Sequence, residues 1–330
     1  MRAIRYTRFG PAETVLEPVE LPTPDPAPGE VLVELRASGV NPSDVKLRAG
    51  ARPGSTMAFP FVVPHSDGAG VIVACGEGVA PERRGQRVWI WNGQWRRQMG
   101  TAASHICLPA EQAVPLPEPA SFAEGASLGI PAQTACAAVL GEGPVEGRCV
   151  MVTGAAGAVG RYAVQMARLA GAEVIATISS AEKAAHASSH ANPPHHLIDY
   201  RREDVAERVM AITQGKGIDR LIEVDFGANI EVTEQIMADN GRIVSYASMA
   251  APTPALPFYS LMFRNIRLWM LLDYLLEAPL RRDCEAQLGR WLEAGSLSHA
   301  IRATRPLEKT AEAHALVEDG GGLGNVIVEI

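Results

Sequence analysis

Three glycines carry the clearest chemical signal in this chain. They stand at 154, 157 and 160 in the run Val150-Met151-Val152-Thr153-Gly154-Ala155-Ala156-Gly157-Ala158-Val159-Gly160. From Gly154 to Ala158 no side chain exceeds a methyl group, so an anionic ligand can lie directly on the main chain. Free N–H groups at the start of the following helix, at the positive end of its dipole, suit a diphosphate. The first glycine would serve the tight turn, the second the phosphate approach and the third close helix-to-strand packing. The spacing is GxxGxxG rather than GxGxxG, so the pattern needs support from its neighbours.

That support comes from the next strand, Glu173-Val174-Ile175-Ala176-Thr177-Ile178. In a dinucleotide fold the residue ending this strand, about 20 positions beyond the first glycine, reads the adenosine ribose. An acid there would hold the 2′-hydroxyl of NAD. This chain has Ser179 and Ser180, with Lys183 a turn later. Two hydroxyls and a cation suit a 2′-phosphate, which predicts NADPH over NADH. The competing reading makes the serines helix caps and Lys183 a solvated helix residue.

A supporting framework can be drawn around these residues. Strands are expected at 149–153, 173–178, 196–199, 219–224, 241–246 and 266–271, with helices near 157–170, 181–190, 203–213 and 229–239. Such alternation predicts an α/β fold with a Rossmann-type, doubly wound parallel sheet, its ligand edge at the strands' carboxyl ends. The first third instead holds short strands (Val31–Ala37, Gly70–Ala74, Arg87–Trp91) between Gly- and Pro-rich turns, which predicts a small β-barrel. Ser121-Phe122-Ala123-Glu124 reads as a capping box opening an alanine-rich helix. Val326–Ile330 alternates like a closing strand and is expected to return to the barrel. The expected domains are therefore 1–121 and 273–330 for the barrel, around 122–272 for the nucleotide sheet.

The chain has 330 residues, 47% of them hydrophobic, enough for two folded cores. A net charge of −7 argues against nucleic acid as a partner. No apolar run is long enough to span a membrane, and the N-terminus lacks a signal-peptide core, so a cytoplasmic location is expected. Five scattered cysteines form no CxxC pair and suggest free thiols.

Several separate motifs occur in a familiar order: Ser38-Gly39-Val40-Asn41-Pro42-Ser43-Asp44, His65-Ser66-Asp67-Gly68-Ala69-Gly70, Gly85-Gln86-Arg87-Val88, Leu128-Gly129-Ile130-Pro131, the glycine turn, Lys216-Gly217-Ile218-Asp219 and Pro306-Leu307-Glu308-Lys309. Through them the chain resembles the zinc-free, zeta-crystallin-like quinone oxidoreductase branch of the medium-chain dehydrogenase/reductase superfamily, over nearly its whole length. The resemblance implies a GroES-like substrate domain beside the Rossmann domain. Zinc-using members carry Cys where Asn41 stands and His-Glu where Ser66-Asp67 stand, so no metal site is expected here. His65 falls one position early for a ligand. Asp67 is expected to buttress the cleft through hydrogen bonds. The histidines at 186, 190, 195 and 196 read as surface residues.

The resemblance further places Ala156, Gly157, Ala158 and Val159 on the cofactor diphosphate, with Ser179, Ser180, Lys183 and Tyr200 around its 2′-phosphate. It puts Asn229, Tyr246, Ala247, Ser248, Trp269, Met270 and Leu271 at the nicotinamide end. Asn325 precedes the last strand where relatives often have Lys or Arg, and is also assigned to the cofactor. The competing readings make Tyr200 a packed strand-end residue and Asn229 a helix N-cap. The implied reaction moves hydride from NADPH to a quinone or an α,β-unsaturated carbonyl. Asn41 and Lys46 are the candidate donors to the acceptor oxygen, Lys46 standing where a tyrosine is frequent.

Two other classes stay open: a zinc-free alcohol dehydrogenase or enoyl-thioester reductase of the same fold, and a non-catalytic NADPH-binding protein. The apolar segment Phe258–Phe263 and the sixth strand suggest a homodimer.

Overall fold

A computed structural model describes residues 1–51, 54–320 and 322–330. Its strands are β1 (Arg2–Arg5), β2 (Glu17–Glu20), β3 (Glu30–Val40), β4 (Asp67–Cys75), β5 (Arg87–Ile90), β6 (His105–Pro109), β7 (Ala113–Pro115), β8 (Cys149–Val152), β9 (Glu173–Ile178), β10 (His196–Asp199), β11 (Ile218–Glu223), β12 (Met237–Ser245), β13 (Arg267–Met270), β14 (Ile301–Pro306) and β15 (Asn325–Glu329). Its helices are α1 (Ala12–Val15), α2 (Pro42–Ala49), α3 (Phe122–Gly125), α4 (Gln133–Leu140), α5 (Ala158–Leu169), α6 (Ala181–Ser188), α7 (Val205–Ile212), α8 (Phe226–Ile236), α9 (Phe258–Phe263), α10 (Ala278–Glu293) and α11 (Thr310–Glu318). The chain divides into two compact units: 1–130 with 289–295 and 299–330, and 131–288 with 296–298.

In the second unit six parallel strands run in the order β10-β9-β8-β11-β12-β13. The chain builds outward from β8 on one side, then returns to start β11 on the other, so the order reverses between β8 and β11. Ligands in such sheets bind beyond the carboxyl ends at this reversal. Val150, Val152, Val174, Ile175, Ile222, Ile243 and Val244 are fully buried, as strands covered on both faces require.

Two boundaries differ from expectation. The helix expected at 229–239 runs from Phe226 to Ile236, and β12 already begins at Met237, where it pairs with Ile218. Asn240, with φ +61°, and Gly241 lie inside that strand rather than at its start.

The first unit holds a seven-stranded sheet ordered β14-β15-β3-β4-β5-β7, with β6 also paired to β3. The closing strand β15 lies antiparallel to β3, as its alternation suggested. The sequence reading missed β14 and α11, which form a β-α-β unit with β15, β14 and β15 being parallel. Ile301–Pro306 carries two arginines and is half-exposed throughout, so it lacks the apolar run that marks a strand.

The units also part at places other than 121 and 272. A Cβ on Gly39 would lie 2.1 Å from the Ala126 carbonyl oxygen, and the Ile130 N–H donates to both Asp67 carboxylate oxygens at 3.0 and 2.9 Å. These contacts keep 122–130 with the first unit. Arg281 donates to Gln133 Oε1 and to the Asp273 carbonyl, which holds 273–288 in the second.

The capping box at Ser121 is present: its Oγ accepts from the Glu124 N–H at 3.2 Å while Glu124 accepts from the Ser121 N–H at 2.7 Å. The helix it opens is only four residues long, however, and a wide turn containing Pro131 separates it from α4. Proline removes a ladder donor. The five cysteines are free, and among the described residues no helix is long and apolar enough to cross a membrane.

Candidate functional site

The turn between β8 and α5 gives each of its glycines a separate task. Gly154 has φ +63°, a left-handed conformation that favours glycine. Around a Cβ on Gly157 only the Gly154 carbonyl oxygen would come within 4 Å, at 3.3 Å, so this side of the loop is open. A Cβ on Gly160 would sit 2.4 Å from the same oxygen, too close to tolerate. Gly157 is the N-cap of α5, and no side chain caps that helix. Its first N–H groups, on Ala158, Val159 and Gly160, belong to the turn that lacks intrahelical partners. With Ala156 beside them, they form a cradle that fits a diphosphate.

At the end of β9, Lys183 Nζ donates to the buried Ser179 Oγ at 3.0 Å, so the predicted cation and hydroxyl do meet. Ser180 takes the alternative role: its Oγ accepts from the Lys183 N–H at 3.2 Å and caps α6. Tyr200 follows β10 and is half-exposed. It lines a cavity of about 300 Å³ together with Gly154, Thr177, Val224, Asn229 and Val232. Thr177 supports the glycine turn, its Oγ1 accepting from the Gly154 N–H at 3.2 Å.

Glu223, which the sequence reading did not single out, lies fully buried where β11 ends. One carboxylate oxygen, Oε1, accepts from Thr153 Oγ1 at 2.9 Å, the Asp225 N–H at 2.6 Å and Asn229 Nδ2 at 2.8 Å. Burial pushes this carboxyl above its ordinary range against the pull of those bonds. A charge closing the apolar stretch Leu221-Ile222 was the available signal. Asn229 is therefore not an N-cap; Asp225 holds that position, and Asn229 lies one turn inside α8.

The loop after β12 is heavily bonded. The Ala247 carbonyl accepts from the Phe226 N–H at 3.0 Å, and Ser248 Oγ accepts from the Gly227 N–H at 2.9 Å while donating to the Ala251 carbonyl at 2.6 Å. The Tyr246 phenol is raised well above its usual range by burial and then by the Glu223 charge. On β13 Trp269 is half-buried and Met270 exposed, while Leu271 is buried just beyond the strand.

In the first unit Asn41 is the N-cap of α2. Its N–H donates to Asp44 Oδ2 at 2.8 Å and its Nδ2 to Asp67 Oδ2 at 2.8 Å. Asp67 buttresses as expected. Burial raises Asp44 to about 7. Lys46 is exposed, in the last turn of α2. His65 is buried: its Nδ1 lies 2.8 Å from Ser38 Oγ and its Nε2 2.8 Å from His314 Nε2. Asn325 is buried as well, its Nδ2 donating to the Ala300 carbonyl at 3.3 Å.

In the histidine-rich segment His195 is exposed and His186, His190 and His196 are half-buried. His195 Nδ1 accepts from the Val174 N–H at 2.9 Å, and Arg161 holds the His186 carbonyl at 2.9 Å. Among the described residues no group of three or more His, Cys, Asp or Glu could hold a metal ion.

Residues 27–118 match the family model described as the alcohol dehydrogenase GroES-like domain, and residues 158–279 that described as zinc-binding dehydrogenase. The quinone oxidoreductase of Sus scrofa is 29% identical over 330 residues, 99% of this chain and 97% of the relative. Among solved structures, an NAD-dependent alcohol dehydrogenase is 29% identical with a TM-score of 0.86, covering 100% of both chains. The quinone oxidoreductase of Pseudomonas syringae is 27% identical with a TM-score of 0.85, covering 100% of this chain and 99% of its own. A mycobacterial protein in complex with NADPH is 25% identical with a TM-score of 0.85, again over 100% of both chains.

Proposed function

Because the chain belongs to the quinone oxidoreductase branch of the medium-chain dehydrogenase/reductase superfamily, we propose that it binds NADPH on the Gly154–Gly160 turn and reduces a quinone or an α,β-unsaturated carbonyl without a catalytic zinc. The observation that carries the cofactor choice is the Lys183–Ser179 contact at 3.0 Å, a cation and a hydroxyl gathered where an NAD-specific site would place an acid. The similar structures include an NAD-dependent enzyme and an NADPH complex, so the preference rests on these residues.

When bound, the nicotinamide supplies the hydride. The protein's part is to hold and orient. Main-chain N–H groups of Ala158 and Val159 would take the diphosphate, Ser179 and Lys183 the 2′-phosphate, and Tyr200 would flank it. The loop from Tyr246 to Ser248 and residues Trp269 to Leu271 are proposed for the nicotinamide end.

The zinc-free reading rests on what the candidate ligands already do. Asn41 is tied to Asp67, and both His65 ring nitrogens are engaged by Ser38 and His314. An amide in place of a thiolate is a poor zinc ligand. The Asn41 amide has a second N–H, which is proposed, with the Lys46 ammonium, to stabilise charge on the acceptor oxygen. A second copy of the chain is proposed to pair along β13, the sheet edge, beside which Phe258, Tyr259 and Phe263 are exposed.

The test is steady-state turnover of a quinone panel and an enone panel with NADPH and NADH, with and without a chelator. The expected result is NADPH-preferring, chelator-insensitive activity. Equal use of NADH would overturn the 2′-phosphate assignment. Binding of NADPH with no turnover of either panel would favour a non-catalytic role.

A further inference from the structure

One buried acid, Glu223, is bonded to three elements that the nucleotide reading needs in register. It closes β11, beside β8, at the strand-order reversal. Its Oε1 gathers the Thr153 hydroxyl from the residue after β8, the N–H of Asp225 before α8, and the Asn229 amide within α8. Its main-chain carbonyl accepts the Tyr246 N–H at 3.1 Å, just past β12. Thr153 in turn accepts from the Val224 N–H at 2.9 Å, so its single proton is directed to the carboxylate, which is nearer than the Ile222 carbonyl at 3.3 Å. Thr153 immediately precedes Gly154, the residue that makes the left-handed bend.

We propose that Glu223 is a positioning residue of the nucleotide site, an acceptor hub that fixes where the Gly154–Gly157 turn leaves β8 and where the Tyr246 loop leaves β12. This inference rests on the nucleotide reading. The second oxygen, Oε2, is buried with no hydrogen-bond partner among the described residues. An apolar residue would avoid the desolvation that raises this carboxyl but would leave the Thr153, Asp225 and Asn229 donors unpaired. A single carboxylate oxygen accepts from all three, which an alkyl side chain at this position cannot do. Ligand contact is not required: the carboxylate acts through Thr153 and the turn it anchors.

The variants Glu223→Ala, Glu223→Gln and Thr153→Val separate this role from mere stabilisation. NADPH binding is titrated by fluorescence on the full chain, alongside kcat, KM and thermal melting. Glu223→Ala should weaken NADPH binding by about tenfold or more, with kcat at saturating NADPH within about threefold of wild type. Thr153→Val removes one strut and should weaken binding by about three- to tenfold. Glu223→Gln keeps the three-way acceptor, so its affinity should stay within about threefold of wild type.

Wild-type-like binding by Thr153→Val, or a Glu223→Gln variant that binds about tenfold more weakly than wild type, overturns the proposal. Either result is readable even if Glu223→Ala does not fold. A fall in kcat with unchanged nucleotide KM would overturn it too. Failure of the wild type to bind any nicotinamide nucleotide would instead overturn the underlying reading.

Discussion

Lys183 is the residue on which cofactor choice turns. It is partly exposed and bonded to Ser179. Lys183→Ala should lower the ratio of kcat/KM for NADPH over NADH by about tenfold, about 1.4 kcal/mol, in side-by-side turnover assays. An unchanged ratio would move the phosphate elsewhere. Lys46→Met should slow turnover by about tenfold without weakening NADPH binding if its ammonium meets the developing charge; stopped-flow single turnovers check this directly. Ser179 and Lys183 were legible because their relation is local, four residues along one strand-to-helix turn. Glu223 was not, since its partners come from β8 and α8 and only the folded sheet brings them together. The pairing of His65 with His314 escaped for a related reason. With φ +79° His65 occupies a conformation usual for glycine, and the histidine that fastens it lies 249 positions away in sequence.

At the scale of elements, α5 and β8 are held at a distance only glycine permits. Gly160→Ala would drive a methyl into the Gly154 carbonyl, at 2.4 Å with backbone on both sides. Overpacking of this kind costs about 1–3 kcal/mol, so urea denaturation should show a loss in that range together with weaker NADPH binding, because the displaced atom belongs to the phosphate turn. Retained affinity would mean that the turn is softer than its geometry implies. The inner strands β8 and β9 were readable because burial on both faces makes them near-continuous apolar runs. Strand limits were less so: β12 starts four residues before the expected 241, with Asn240 and Gly241 inside it, and turn-type residues hide a strand. β14 escaped because an edge strand half open to solvent carries arginines at little cost. Its partner β15, buried from Asn325 to Val328, announced itself.

For the whole molecule, the exposed apolar surface at α9 and the unpaired edge of β13 bear on assembly. Phe263, 80% exposed, is a large apolar side chain stacked on the Tyr259 ring and otherwise largely open; Phe263→Asp should halve the mass measured by light scattering if the edge joins two copies. Stability against pH is set by buried groups of opposite sign. Desolvation lowers His65 to about 3 and His314 well below its ordinary value, with the Arg48 charge adding to the effect on His314. Between about pH 6.5 and 3 the unfolded chain therefore binds more protons at these rings. Stability falls as pH falls through that window, by up to about 1.4 kcal/mol per unit for each ring. Asp44 and Asp273, raised to about 7 by burial, act oppositely: the folded chain binds more protons there, so acidification from pH 7 stabilises. The wild-type curve alone mixes these contributions, but comparison with His65→Gly removes one ring and the burial it gives its partner His314. Glycine accepts the left-handed backbone, and the two aspartates are common to both chains. The wild type should lose about 1–2 kcal/mol relative to His65→Gly between pH 7 and pH 5 in urea denaturation. A difference that stays flat over that interval would mean that His65 is not held neutral by its burial.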